Sequence, residues 1–232
     1  MKYVMAMLIA LAMAPAASAA DNARRVGFTM PITVQADGRA ELGEPEGLVP
    51  SVAEAIRPAL AALEYEPGHR DGAPVEVAAT LVGVVVLIPD GEEVFRIELE
   101  NIAIMPRWVS KLMPRYPVDR LRRGAQSGTV EIRMHVDAEG RAEAGEVVSA
   151  SHPAFARAVQ EAMGAVEVVP LRVDGVPAAF GMNLPVVFSA MGAEPERAFS
   201  CEADALLPAV KGQPACAGRI VEVTAMRVGA VR

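Results

Sequence analysis

The sequence predicts an α+β protein built from two diverged copies of one small module, each an antiparallel sheet with a packed helix. The first observation is a repeat, since residues 34–41 and 136–143 share six of eight amino acids. The second is a strand-like alternation that ends in each repeated segment, and the third is a helical pattern that follows it. Both copies therefore have the order strand, strand, helix, strand.

The first strand of each copy is predicted from apolar residues at every second position, the period of a half-buried strand. These residues are Phe28, Met30, Ile32 and Val34 in the first copy, and Val130, Ile132, Met134 and Val136 in the second. Each strand runs into a Gly-Arg pair, where glycine can adopt the positive φ of a tight turn. We therefore expect hairpins at Gly38 and Gly140.

A helix is predicted next in each copy from apolar residues spaced four, four and three positions apart, which places them on one face. They are Val52, Ile56, Leu60 and Leu63, and then Phe155, Val159, Met163 and Val166. Pro50 and Pro153 stand where these helices should begin. Ser51 and Glu54 match a capping box, and Pro58 is expected to kink the first helix.

These patterns give a division of the chain. Asp71-Gly72 and Asp174-Gly175 match after the helices, and apolar strands are expected at 75–88 and 178–188. The predicted parts are a signal peptide at 1–19, a degenerate first copy at 24–104, a linker at 105–117, a second copy at 114–190 and a tail at 191–232. A short helix near 118–123 and a final strand within 219–228 complete the prediction.

The N-terminus has the features of a secretory signal peptide. Lys2 precedes an apolar run, Pro15 interrupts it, and Ala17-Ser18-Ala19 has the small-residue pattern that signal peptidase cleaves. An uncleaved membrane anchor is the alternative, because a spanning helix needs about 20 apolar residues. The proline and the small residues favour export and cleavage after Ala19, and hence a periplasmic location.

Composition argues against nucleic acid as a partner. The net charge is −7 and aromatic residues make up 4% of the chain. Binding to phosphates requires clustered Lys and Arg, and base stacking requires aromatic side chains.

The two cysteines, Cys201 and Cys216, both lie in the tail. In an oxidising compartment such a pair favours a disulfide. Redox or metal-binding roles are alternatives, although the tail contains neither a C-x-x-C motif nor a histidine.

The second copy resembles the TonB C-terminal domain. The residues that carry the resemblance are Tyr116-Pro117, a basic helical turn, Gly128-Thr129-Val130 and the hairpin from Val136 to Arg141. The motif positions are Tyr116, Pro117, Gly128, Gly140 and Arg141. The first copy keeps a different part of the pattern, Leu63-Glu64-Tyr65-Glu66-Pro67-Gly68.

The resemblance implies a small periplasmic α/β sandwich that binds protein. In energy-transducing TonB proteins, an extended peptide of an outer-membrane receptor pairs with an edge strand of the sheet. This sequence lacks the long proline-rich spacer of those proteins. We therefore expect a protein-binding module associated with envelope transport that pairs with extended peptides by strand addition. The alternatives are a structural or assembly component whose edges are self-covered or used in a homodimer, and an anchored energy transducer.

The edge strand that corresponds to the family's binding strand lies at about 179–188. The candidate peptide-binding residues are Phe180, Met182, Asn183, Leu184 and Val186. An unpaired edge offers backbone N–H and C=O groups to an incoming strand. Pro185 removes one donor, which suits an edge position. The tail strand or the other copy could instead cover this edge.

Catalysis finds little support in the sequence, and we expect no enzyme activity, cofactor or metal site. His69, His135 and His152 share no metal-ligand spacing with Cys, Asp or Glu, and no nucleophile or phosphate-loop motif is present. His135 is expected on the solvent face of its strand, and His152 is a candidate helix cap.

Residues 107–123 contain six basic residues and one acidic residue, Asp119. A solvated linker and helix face is one interpretation, and a docking patch for an acidic partner or anionic lipid is the other. Trp108 in this stretch is either a core residue or an exposed anchor.

Overall fold

The structure is a computed structural model that describes residues 23–90, 94–124, 126–190, 199–214 and 218–224. The predicted signal peptide at 1–19 lies outside the described residues. We call residues 24–105 the first half, 127–190 the second half and 199–224 the tail.

The first half and the segment after it contain eight strands and one helix in the part of the chain that is described. They are β1 (Arg24–Val34), β2 (Ala40–Leu42), α1 (Pro50–Ala61), β3 (Tyr65–Glu66), β4 (Gly68–Arg70), β5 (Ala73–Val75), β6 (Val77–Pro89), β7 (Phe95–Met105) and β8 (Arg107–Trp108).

The remaining described elements follow in a similar order. They are α2 (Val118–Arg122), β9 (Ser127–Val136), β10 (Ala142–Ala150), α3 (Pro153–Met163), β11 (Val168–Val169), β12 (Leu171–Val173), β13 (Val176–Ala178), β14 (Phe180–Ser189), β15 (Ala209–Val210) and β16 (Val221–Thr224). The fold is α+β with mostly antiparallel sheets, as predicted.

The first sheet is organised around β6, the long apolar strand of the first half. β1 pairs with it antiparallel along its whole length, and β2 continues the sheet beyond β1. On its other side β6 pairs with β7 over residues 80–89 and with β12 at residues 77–78. The β12–β13 hairpin of the second half therefore belongs to the sheet of the first half, which the sequence pattern did not predict.

The second sheet has the order β10-β9-β14-β16. β14 lies in its interior and pairs antiparallel with β9, from Phe180 opposite Val136 to Ser189 opposite Ser127. On its other side Val186 to Ser189 pair in parallel with Val221 to Thr224 of β16.

Each half has its own hydrophobic core, and the predicted helix faces line them. Ile56 and Leu60 of α1 are buried with the β1 residues Phe28, Met30 and Ile32. Val159 and Met163 of α3 have no solvent exposure, and they are buried with the alternating apolar residues of β9 and β14. Leu63 is half-buried against the first core. The predicted helix and strand periodicities are confirmed at these positions.

The two predicted hairpin turns are present. Gly38 and Gly140 have φ values of 82° and 91°, a conformation that glycine adopts without steric cost. At Gly140 a side chain is also excluded by space, because an added Cβ would lie 2.1 Å from the carbonyl oxygen of Val168.

The helix starts agree only in part with the prediction. α1 begins at Pro50 with Val49 as its N-cap and has no side-chain cap, so the predicted Ser51–Glu54 capping box is wrong. Ser51 lies inside the first turn, because Pro50 already occupies a helical position. In α3 the ring nitrogen Nδ1 of His152 accepts a hydrogen bond of 3.1 Å from the Ala154 N–H, which makes His152 the cap.

The predicted linker at 105–117 is packed against the protein. Met105 ends β7, and Arg107–Trp108 form β8, which pairs with β11. Leu112 is buried in the second core, and Trp108 is partly buried against it, so Trp108 is a core residue rather than an exposed anchor. The final strand, expected within 219–228, is β16 at Val221–Thr224, and residues 225–228 lie outside the described residues.

Candidate functional site: the covered edge of β14

The predicted binding residues lie on β14, and four of them belong to the second core. Phe180, Met182, Leu184 and Val186 are all buried there, at most 4% exposed. Asn183 is also buried at 3%, and its side-chain contacts lie with Arg133 and the tail. Side chains on this strand are therefore committed to packing, and the backbone edge is the part that can bind another strand.

That edge is covered by the tail of the same chain. The Asn183 N–H donates a 2.6 Å hydrogen bond to the Glu202 carbonyl, and the Asp204 N–H donates one of 2.9 Å to the Gly181 carbonyl. Further along the same edge, β16 pairs with residues 186–189. The sequence left open whether this edge is free or covered by the tail, and in this structure the tail covers it.

A buried carboxylate on β9 holds the tail in place. Glu131 is 2% exposed, and its side chain accepts hydrogen bonds from the Ser200 N–H at 3.0 Å, the Ser200 hydroxyl at 2.7 Å and the Cys201 N–H at 2.7 Å. Burial by itself raises the pKa of Glu131, but these hydrogen bonds outweigh burial and lower its pKa below the ordinary value. Glu131 is therefore ionised at neutral pH, where it binds the tail as a carboxylate.

Further polar contacts join the tail to β9 and β14. Arg133 donates hydrogen bonds to Asp204 and, at 3.3 Å, to the Asn183 side chain. Asp204 also accepts from the Gly181 N–H, and Asn183 donates to the Ser200 hydroxyl at 3.0 Å. We call Glu131, Arg133, Asn183, Ser200 and Asp204 the tail clamp.

Arg219 adds a contact within the tail. Its side chain is 9% exposed and donates a 3.2 Å hydrogen bond to the Cys201 carbonyl. Burial lowers the pKa of Arg219. Cys201 is 2% exposed and is not a free thiol, whereas Cys216 lies outside the described residues. The Cys201–Cys216 pairing stays a prediction.

The residues of the family motif have structural roles. The Tyr116 ring packs edge-on against Phe155 and Phe188, with centroids 5.6 and 5.8 Å apart. A Cβ at Gly128 would lie 2.3 Å from the Phe155 ring, so only glycine fits beneath this aromatic cluster.

Arg141 and Pro117, two further motif residues, lie in a hairpin turn and in a surface cleft. Arg141 donates to the Asp137 carboxylate at 2.8 Å and fixes the hairpin turn. Pro117 lies in a surface cleft beside α3.

The histidines are dispersed. His135 is exposed, as predicted, His69 is exposed on β4, and His152 caps α3. Within the described ranges, no group of three or more His, Cys, Asp and Glu side chains could hold a metal ion.

Part of the chain matches the model of a known protein family. Residues 113–190 match the family model for the Gram-negative bacterial TonB protein C-terminal. The matched segment runs from just before α2 to just after β14, so it includes the β14 edge and leaves out the tail that covers it.

The TonB C-terminal family consists of non-enzymatic protein-interaction domains and is associated with the Gram-negative envelope. The predicted resemblance is thereby supported for the second half. No curated protein and no solved structure matches the chain. Among the described helices, none has the length and apolar character to cross a membrane.

Sequence reasoning missed the tail clamp. Glu131 and Arg133 alternate with the core residues of β9, so the strand period alone places them on a solvent face. Their opposite charges two residues apart on that face were the available signal. Their partners Ser200 and Asp204 lie about 70 residues away, in a segment without periodicity.

Proposed function

We propose that this protein is a periplasmic, non-enzymatic protein-binding module, associated with envelope transport, that accepts extended peptide segments on the outer edge of β14. A segment of an outer-membrane receptor is the partner class that the TonB C-terminal match suggests. In the absence of a partner, the tail occupies the same edge and must be displaced.

The main support for this function is that the tail pairs with the outer edge of β14 through its backbone. Extended segments of the tail bind it through backbone hydrogen bonds at Gly181 and Asn183 and through parallel pairing at 186–189. These bonds need only an extended backbone, so a peptide in place of the tail can make them equally well.

The tail covers the edge of β14 with two separate short segments, which favours its replacement by a peptide. The first segment pairs near Met182 and the second begins at Val186, and Pro185 between them has no N–H to offer. The opposite edge of β14, by contrast, pairs with β9 over ten consecutive residues.

We take the two halves as diverged copies of one module. The order from β1 to β6 repeats from β9 to β14, including one two-residue strand and a short hairpin before β6 and before β14. Asp71 and Asp174, at equivalent places, have φ values of 52° and 50°, which is rare for a residue other than glycine.

A second candidate is a structural or assembly component. The covered edge itself favours it, because a strand that is permanently paired with its own chain does not need a partner. A component that uses a sheet edge to form a homodimer is the other form of this candidate.

Weakening the tail without altering β14 distinguishes the two functions. In a Ser200→Ala/Asp204→Ala variant of the full chain, two tail residues lose their side-chain contacts while the sequence of β14 is unchanged. We expect extended receptor-derived peptides to bind this variant at least about tenfold more tightly than the wild type, because less free energy is spent on displacing the tail. Fluorescence anisotropy measures the affinity, with a peptide of residues 199–206 as the reference.

The control is Lys211→Ala, which removes a 2.6 Å tail contact to Glu64 of the first half, away from β14. It should leave peptide affinity at the wild-type value. If amide exchange shows the tail released in the clamp variant and still no peptide binds, β14 is not a binding edge and the structural candidate is favoured.

A further inference from the structure

The strongest unexplained surface is a cleft of about 400 Å³ between the segment 115–123, which includes α2, and the N-terminal part of α3. It is lined by four arginines, two acids, His152 and a few apolar residues. The arginines are Arg115, Arg120, Arg123 and Arg157, and the acids are Asp119 and Glu161. The cleft lies outside the tail clamp and shares no residue with β14.

The arginines of this cleft outnumber its acids by four to two and are not held in ion pairs by the described residues. Asp119 is paired at 3.9 Å with Arg122, which does not line the cleft. Among the described residues, none of the four arginines forms an ion pair or a side-chain hydrogen bond, and the Nε of Arg120 is buried without a partner. A buried donor without an acceptor costs free energy, which an anionic ligand oxygen would recover.

Exposed apolar side chains occur in the same stretch. Met113 is 77% exposed, Val109 is 64% exposed and Val118, which lines the cleft, is 56% exposed. Residues 107–123 thus combine six basic residues with exposed large apolar side chains, in a chain whose net charge is −7. Such a combination is typical of a protein surface that lies on an anionic bilayer.

We propose that this cleft and the adjoining segment bind the phosphate-bearing headgroups of an anionic phospholipid membrane. Arg115, Arg120 and Arg123 take the phosphate oxygens, because a guanidinium offers two parallel donors to a phosphate. Met113 and Val118 enter the boundary between headgroups and acyl chains. A peptide of acidic residues alone satisfies the arginines equally but gives the exposed Met113 and Val118 no apolar environment, whereas a bilayer supplies both phosphate and apolar chains.

Vesicle flotation with the full chain tests this proposal. The probes are vesicles of phosphatidylcholine alone and of phosphatidylcholine mixed with phosphatidylglycerol. We expect binding to the mixed vesicles only, weakened by added salt because the charges are exposed. The Arg115→Gln/Arg123→Gln variant should lose about fivefold in affinity for each charge removed. Both side chains are exposed, so the variant should fold normally.

The matched control is Arg70→Gln/Arg172→Gln, which removes the same charge from two exposed arginines outside the cleft. It should bind mixed vesicles like the wild type. Two further variants separate the apolar contribution of Met113 from the phosphate-binding contribution of Arg120. Met113→Ser should weaken vesicle binding without a change in charge, and Arg120→Gln should weaken it without lowering the unfolding free energy, because its Nε loses no protein partner.

Equal losses in the cleft variant and the control would overturn the proposal, as would wild-type binding that is independent of phosphatidylglycerol. Binding to soluble polyglutamate but not to vesicles would overturn it in favour of an acidic protein partner. The peptide affinity at β14 is read separately, so failure of one proposal leaves the other standing.

Discussion

β6 in the first half and β14 in the second half follow the same order of elements, but their outer edges are covered in different ways. In the first half, β6 pairs with β7, the next strand in the chain, over residues 80–89. In the second half, β14 is covered by tail segments that arrive after β14 and bind as an antiparallel contact near Met182 and a parallel strand at Val186 to Ser189. One edge is closed by a neighbouring strand and the other by a distant and interrupted segment.

This difference shows which of the two edges is suited to binding a peptide in place of its present partner strand. β7 contributes Ile102 and Ile104 to the first core, so removing it would expose buried apolar surface. The tail has apolar contacts too, because Leu207 is buried in the second core and Ala203 and Leu206 pack against it. Around Glu131 and Ser200, however, it is held by polar contacts, which water or a peptide can replace. A competing strand at β14 therefore replaces short tail segments, whereas at β6 it would have to displace an eleven-residue strand with four buried apolar residues at its end.

Core truncations test whether the two halves are equally dependent on their helices. Leu60→Ala in α1 and Met163→Ala in α3 should each lower the unfolding free energy by about 2–5 kcal/mol, because both side chains are fully buried. Chemical denaturation measures the loss. His135→Ala is the control on an exposed strand position and should change stability by less than about 0.5 kcal/mol. A loss at His135 as large as that at Met163 would contradict the register of β9.

The disulfide prediction concerns how firmly the tail is tethered. Thiol titration of the denatured, unreduced protein should find no free thiol if Cys201 and Cys216 are paired. Replacing both cysteines by serine should then lower the unfolding free energy by up to about 3 kcal/mol, since the closed loop is short. Two titratable thiols in the wild type would refute the pairing.

Acid should release the tail from β14 while leaving β7 on β6. The folded-state pKa of Glu131 is lowered, so its contribution is present above its unfolded value of 4.5 and is lost as pH falls through the folded pKa. Hydrogen bonds to a charged acceptor contribute about 1.5–3 kcal/mol. Amide exchange at Cys201, whose N–H binds Glu131, should therefore accelerate relative to the β7 amides below pH 4.5.

Glu131→Gln is the matched variant for this experiment. It keeps the size of the side chain but has one acceptor oxygen and no charge, so Cys201 should exchange rapidly at neutral pH and show no added acceleration in acid. Protection of Cys201 that is unchanged in this variant would show that Glu131 does not hold the tail.

The local structure of this protein was largely predictable from its sequence. The alternation at Phe28 to Val34 and Val130 to Val136, the turn glycines Gly38 and Gly140, and the faces of α1 and α3 agree with the structure. Each depends on the burial period or backbone conformation of a short segment, which the residues of that segment determine.

The long-range pairings were decided by the tertiary structure. The β12–β13 hairpin joins the first sheet, and the tail covers β14 through backbone groups that every residue possesses, so no side-chain pattern announces either pairing. Glu131 shows the same limit. Its place on β9 predicted solvent exposure, and only the arrival of Ser200 and Cys201 made it a buried, charged anchor. Periodicity encodes which side of a strand is buried by its own sheet, whereas the contacts of the opposite face depend on which distant segment packs there.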